Sequence, residues 1–458
     1  MHDLSAAELL TRYADGSLSP VEVAQAVIAR IERCEPTLQA LYAYAPERAL
    51  EQARASETRW RRGEALALDG VPLTLKENIA TAGTPMPLGC AATPLVPAAE
   101  DAPPAARLRE AGAVLLAKTT MPDQGMLSSS LSSFHPLTRN PWDTSKTPGG
   151  SSAGAGAAAA AGYGPLHVGT DIGGSIRLPA SWCGVFGLKP SLGRIPIRPA
   201  YAGRVAGPMT RTVQDAALLM RTLSRPDWRD ATSLPPQAID WLDLEPRELR
   251  GLRLGLQMEA GWGLPVEPET AAAIAAAARL FEQAGAIVEP LAPFTTRAMV
   301  EGLDRFWRMR AWLELQQLPP ERRERVLPYI RQWAEGAVGL DGAAVFRGQA
   351  QMQALREASV AACQPFDFVL SPVSPVPAFD ARLASPVNDP ERPFEHIAFT
   401  LPFNMSEQPS ASVPCGMTTA GGLPIGLQIT GRRFDDLGVL QLSAAFERMR
   451  APLPPWPM

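Results

Sequence analysis

Between two glycine–glycine–serine turns, Gly149-Gly150-Ser151-Ser152 and Gly173-Gly174-Ser175, runs a segment of almost nothing but alanine and glycine, residues 153–164. No other part of the chain restricts the fold as much. Side chains this small leave no apolar stripe of the kind that seats a surface helix, so the segment must be packed on all sides or lie against another backbone. Each flanking turn can hold a serine hydroxyl in the open, because a residue without Cβ lets the chain turn sharply and approach a ligand closely. In the second turn, Thr170-Asp171-Ile172-Gly173-Gly174-Ser175-Ile176-Arg177, the N–H groups of Ile172, Gly173 and Gly174 can converge on one point as an anion nest or oxyanion hole. A tight core turn is the other reading of the same residues.

A base for such a serine is hard to find among the four histidines, His2, His135, His167 and His396. His2 is terminal, and His167 lies in an apolar run that suits a core imidazole. His135 and His396 stand in loop-like sequence that does not demand a catalytic role. Lysine is the better candidate. Lys76 closes the apolar run Val71-Pro72-Leu73-Thr74-Leu75, and desolvation at a strand end lowers an amine's pKa toward neutrality. A neutral amine can accept a serine proton where an ammonium cannot; a structural Lys76 paired with Glu77 is the alternative. Other templates fail: the chain has no P-loop, no third glycine after Gly154 and Gly156 for a dinucleotide fingerprint, and no G-x-S-x-G elbow around Ser175.

With 46% hydrophobic residues and a net charge of −4, the 458-residue chain can bury a large core and has no basic block that would mark a nucleic-acid partner. The arginines of 308–331 alternate with acids and read as a solvated helical face. Five scattered cysteines form no C-x-x-C or Cys/His cluster, which argues against zinc and a disulfide scaffold. No signal-like N-terminus and no charge-free membrane-length run is seen, so a cytoplasmic protein is expected.

The opening is helical, with capping boxes at Ser5/Glu8 and Ser19/Glu22. From Gly70, short apolar runs alternate with helix-length or glycine-rich segments, the pattern of an α/β sheet. We expect one domain over 1–458: a helical N-terminus (1–65), a core (66–224), a surface connection (225–250), a helical region (294–363), and a C-terminal sheet and helix (364–458).

Taken together, the segment 71–78, Lys118-Thr119 with Met121-Pro122, Arg139-Asn140-Pro141-Trp142, Gly149-Gly150-Ser151-Ser152, the run from Gly169 to Arg177, and Cys183-Gly184-Val185-Phe186-Gly187-Leu188-Lys189-Pro190 closely resemble the amidase signature family. The resemblance is strong over 4–223 and weaker beyond, where Pro424-Ile425-Gly426-Leu427-Gln428-Ile429 is similar to the family's last sheet region. It implies an α/β fold, a mixed twisted β-sheet flanked by helices, with a helical insertion near the substrate entrance.

The resemblance also implies a Ser–cis-Ser–Lys hydrolase of carboxamides. Ser175 matches the acyl-forming nucleophile, Ser151 the bridging serine after a cis peptide, and Lys76 the base. Ile172, Gly173, Gly174 and Ser175 match the oxyanion hole, while Asp171 and Arg177 would brace the turn. Gly125 and Met126 open the segment 125–134, which helps form the acyl pocket in relatives and here carries no charged residue. Ala153 replaces a glycine that many relatives have after the serine pair. No metal or organic cofactor is implied.

The expected substrate is a small amide with an apolar or aryl body, or a carbamate (urethane) of similar shape, turned over by a monomer or homodimer. Two alternatives stand: the glutaminase (A-type) subunit of a tRNA-dependent amidotransferase, and an inactive binding or assembly protein. The tryptophans Trp307, Trp312 and Trp333 and the proline-rich loop 372–393 fall where the family shapes its substrate entrance.

Overall fold

Both capping boxes form. Ser5 Oγ accepts from the Glu8 N–H at 3.2 Å while Glu8 Oε2 accepts from the Ser5 N–H at 2.8 Å, and Ser19 with Glu22 repeats the exchange. They start the helices Ala6–Ala14 and Pro20–Leu38, whose apolar faces join the main core. The computed structural model describes residues 1–245 and 248–458; Pro246 and Arg247, within the expected connection 225–250, lie outside the described residues.

Eleven strands make one mixed sheet: β1 (Leu41–Tyr42), β2 (Pro72–Lys76), β3 (Val114–Thr119), β4 (Leu166–Asp171), β5 (Phe186–Lys189), β6 (Val205–Thr210), β7 (Arg253–Leu256), β8 (Ile287–Pro290), β9 (Phe368–Pro372), β10 (Ser410–Met417) and β11 (Pro424–Gly431). Their order across the sheet is β1-β3-β2-β4-β6-β5-β10-β11-β9-β7-β8. β3, β2 and β4 run parallel, as do β9, β7 and β8, and the strands between them are antiparallel. Every residue of β2, β4 and β6 is buried, as strands covered on both faces require. Among the described residues no helix is long and apolar enough to cross a membrane.

The alanine–glycine segment is the helix Ala153–Ala161, with all nine residues buried. Its small side chains admit neighbouring backbone: a Cβ on Gly154 would stand 2.2 Å from the Ala40 carbonyl oxygen and 2.5 Å from the Thr120 nitrogen. The region after 294 contains the helices Arg297–Gln316, Pro320–Arg323, Pro328–Glu335 and Gly342–Cys363, interrupted where prolines start new turns.

One central strand escapes the sequence pattern. β6 reads Val205-Ala206-Gly207-Pro208-Met209-Thr210, and its glycine and proline hide any alternation. The proline is accommodated because β5 pairs with β6 only at Phe186↔Thr210 and Gly187↔Met209, short of Pro208.

Candidate active site

β2 and β4 lie side by side and parallel, with Leu75 opposite Val168, so their carboxyl ends deliver Lys76 and the 171–177 turn to one place. Crevices at the carboxyl ends of adjacent parallel strands are where open α/β sheets bind ligands. Lys76 is fully buried. Its Nζ stands 2.8 Å from Ser151 Oγ, 3.1 Å from Ser152 Oγ and 3.4 Å from the Thr170 carbonyl oxygen. Among the described residues no carboxylate bonds to it: Glu77 instead accepts from the Gly89 N–H and pairs with His135. Burial first, and the positive charge of Arg204 second, hold the lysine well below its ordinary range, against the opposing pull of Asp171 and Glu77.

The serine pair is fixed from both sides. The Gly150–Ser151 peptide is cis. Ser152 Oγ donates to the Thr170 carbonyl at 3.1 Å and accepts from the Thr170 N–H at 3.2 Å, and the Ser152 N–H donates to the Ser175 carbonyl at 3.2 Å. The two glycine–serine turns are therefore bonded directly to each other. Ser151 is buried and Ser175 half-buried.

The second turn is held from behind by a buried ion pair. Asp171 accepts from Arg177 Nη2 at 3.0 Å and Nε at 3.1 Å, and from Asn404 Nδ2 at 2.8 Å. Arg177 Nη1 in turn reaches the Thr400 carbonyl and Gln428 Oε1, both at 2.9 Å. Burial alone would raise the Asp171 carboxyl, but the charge and hydrogen bonds of Arg177 carry it well below the usual carboxylate range.

Asp171 also accepts from the Gly174 N–H at 2.8 Å and the Ile176 N–H at 3.0 Å. Gly174 thus differs from the expected donor set: its N–H is already committed, and its contribution is a φ of +131° that residues with a Cβ rarely adopt. The N–H groups of Ile172, Gly173 and Ser175 have no acceptor among the described residues.

Around this centre the wall is apolar. A Cβ on Gly173 would meet Ile397 Cδ1 at 3.3 Å, Leu401 Cδ1 at 3.7 Å and Trp307 Cη2 at 3.9 Å. Trp307 also packs in the cluster that holds Met126, Leu127 and Phe394, and its buried indole N–H has no acceptor among the described residues. Gly125, at φ +69°, lies where a Cβ would be 3.4 Å from Ser151 Oγ.

Sequence reasoning singled out Lys76, Ser151, Ser175, Gly125, Ile172 and Gly173, and all lie at this crevice or line it. It missed Ser152 as a partner of Lys76, the bracing Asn404, and Arg204. The residue before β6 became legible only once Val205 was paired with Asp171. Neither doubtful histidine joins the site chemistry: His135 pairs with Glu77, and His396 is buried against Trp182. His167 is a satisfied core imidazole, bonded to Thr74 Oγ1 at 2.8 Å and to the Gly164 carbonyl at 3.0 Å. Among the described residues no three His, Cys, Asp or Glu side chains are grouped to hold a metal ion.

The family model for amidases matches residues 22–440. The chain is 38% identical over 478 aligned positions to the A-type subunit of the glutamyl-tRNA(Gln) amidotransferase of Myxococcus xanthus, covering 97% of both chains. Among solved structures it is similar to a bacterial aryl acylamidase of the amidase signature family, at a TM-score of 0.89 and 31% identity over 97% of this chain and 96% of that one. A 6-aminohexanoate cyclic dimer hydrolase matches at a TM-score of 0.87 and 26% identity, covering 99% and 98%. The chain belongs to the amidase family and is a hydrolase of amide C–N bonds.

Proposed function

We propose that the protein hydrolyses amides with an apolar or aryl body by a Ser175 acyl-enzyme route, with Ser151 and Lys76 as the proton relay. The observation that carries the relay is the 2.8 Å approach to Ser151 Oγ of the Nζ of a buried lysine that has no carboxylate bonded to it among the described residues. As a neutral amine, Lys76 keeps its two N–H bonds for Ser152 Oγ and the Thr170 carbonyl and turns its lone pair to the Ser151 hydroxyl. Ser151 gives its own proton to Lys76 and takes the proton of Ser175 as Ser175 Oγ attacks the carbonyl carbon. The oxyanion forms against the N–H groups of Ile172, Gly173 and Ser175, each such donor contributing about 3–4 kcal/mol in comparable sites.

Ser151 then passes a proton to the departing nitrogen and is reprotonated by Lys76. An amide needs this step because an amide anion is a poor leaving group. Water, deprotonated through the same relay, attacks the acyl carbon, and Ser175 leaves with the returned proton. The wall of Ile397, Leu401 and Trp307 beside Gly173 supports an apolar substrate body; carbamates of the same shape fit the same chemistry.

A glutaminase subunit of a tRNA-dependent amidotransferase is the second reading. In its favour are the names of the curated relatives, of which the A-type subunit from Chloroflexus aggregans is 36% identical over 98% of this chain. That reading requires partner subunits and polar recognition of glutamine. The two are separated by incubating the purified chain alone with aryl amides, short aliphatic amides, carbamates and glutamine. Turnover of aryl amides at rates at least about tenfold above glutamine is expected, and glutaminase activity confined to a complex with partner subunits would overturn the first reading.

A further inference from the structure

Arg204 stands directly before β6. Because Val205 pairs with Asp171 in the antiparallel β4–β6 ladder, Arg204 is the cross-strand neighbour of Ile172, at the start of the turn that carries Ser175. Its backbone is held by the network that shapes that turn: Asn404 Nδ2 donates to the Gly203 carbonyl at 3.0 Å as well as to Asp171 at 2.8 Å. The guanidinium itself is underused. Nη1 donates to the Pro199 carbonyl at 3.1 Å, and among the described residues no carboxylate lies within ion-pair distance. Among the described residues its other forked donors have no side-chain or backbone partner.

This cation is half-buried, and burial, with the nearby charge of Arg310, brings it down to about 10. A second cation closes the same rim. Arg310 stacks on the Tyr201 ring at 4.2 Å, three residues before Arg204, and lies one turn beyond Trp307 in the helix Arg297–Gln316. Trp307 is the residue that reaches Gly173. Arg310 is already paired with Glu314 at 2.9 Å, whereas Arg204 has no carboxylate partner among the described residues. A half-buried guanidinium with no carboxylate partner among the described residues is open to an anion, and its planar fork matches a carboxylate.

We propose that Arg204 is a substrate-binding residue for a carboxylate, so that the amide carries an apolar segment against Trp307 and Ile397 and an anionic carboxylate at the end nearest the β6 lead-in. This deepens the amidase reading above and rests on it. The segment 125–134 offers such a group no cation, whereas Arg204, beside Ile172, does.

The test uses a pair of anilides alike except that one bears a ring carboxylate and the other a methyl group. Calorimetric titration into the full-length Ser175→Ala chain reads binding without turnover. The carboxylate compound is expected to bind at least about tenfold tighter than its neutral partner, and the preference should vanish in the Ser175→Ala chain that also carries Arg204→Met or Arg204→Gln. Equal affinity for the two compounds, no measurable binding of the carboxylate, or a preference that survives both substitutions would overturn the proposal. With Ser175 intact, the ratio of kcat/KM for the two anilides should follow the same pattern, since any effect on Lys76 is common to both substrates. Failure to hydrolyse either anilide would count against the apolar-amide reading, while the calorimetry still reports on Arg204.

Discussion

Lys76, fully buried, is joined to Ser151 at 2.8 Å, and among the described residues no carboxylate bonds to the lysine. Burial there disfavours the charged form of the amine, and the neutral form is the one a relay needs. Lys76→Ala removes the acceptor and leaves Ser151 and Ser175 in place. kcat is expected to fall by about 10²–10⁴, the usual worth of a positioned base, with KM much less affected. Steady-state kinetics on an aryl amide measure it, and activity within a few-fold of the native chain would contradict the relay.

The pH dependence follows from the same lysine. Its pKa is depressed, by burial first and by Arg204 second, so the active neutral form persists to a pH well below the ordinary lysine range. kcat should rise with pH through that depressed value and then level off. Arg204→Met removes a positive charge, which favours the protonated lysine and raises its pKa. The acid limb of the kcat profile is therefore expected to move to higher pH, and an unmoved limb would contradict the electrostatic coupling.

Gly154 tests the opening constraint. A Cβ there would press on the backbone of Ala40 and Thr120 at 2.2 and 2.5 Å, where neither neighbour can rotate away. Gly154→Ala should destabilise by about 1–3 kcal/mol or more through overpacking. Gly342, at the start of the helix Gly342–Cys363, has nothing within 4 Å of its would-be Cβ. Gly342→Ala should be neutral or stabilise by about 0.5–1 kcal/mol. Urea unfolding of the two variants makes the comparison, and equal stabilities would refute the close-approach account.

The alanine–glycine run was legible in sequence because its meaning is steric, and composition reports sterics directly. Capping boxes at Ser5/Glu8 and Ser19/Glu22 were legible because capping is local. Arg204 and the strand β6 were not, since Gly207 and Pro208 break the alternation and the value of Arg204 depends on the pairing of Val205 with Asp171 across the sheet. The commitment of the Gly174 N–H to Asp171 is likewise a tertiary fact. A glycine-rich turn announces free N–H groups, but not which of them a neighbouring carboxylate has already taken.

His396 offers a test of stability. The ring is buried, stacked on Trp182 at 6.4 Å between centroids, and neither nitrogen has a partner among the described residues. Burial pushes its pKa down to about 3 from 6.5. Below pH 6.5 the unfolded chain therefore binds a proton that the folded chain refuses until about pH 3, and stability falls with falling pH across that window, by about 1.4 kcal/mol per pH unit once the unfolded imidazole is charged. His396→Phe removes both unpartnered nitrogens and keeps the stacking. It should raise Tm at pH 7 and flatten its decline between pH 6.5 and 3; a lower Tm or an unchanged slope would count against this description.

In the proposed mechanism Ser175, and not the serine beside Lys76, attacks the amide. An activated aryl ester chosen so that acylation outruns hydrolysis, quenched in acid and mapped by peptide mass spectrometry, reads this directly. One acyl group per chain is expected, on Ser175, and none in the Ser175→Ala chain. An acyl group on Ser151, or unchanged labelling after Ser175→Ala, would contradict it.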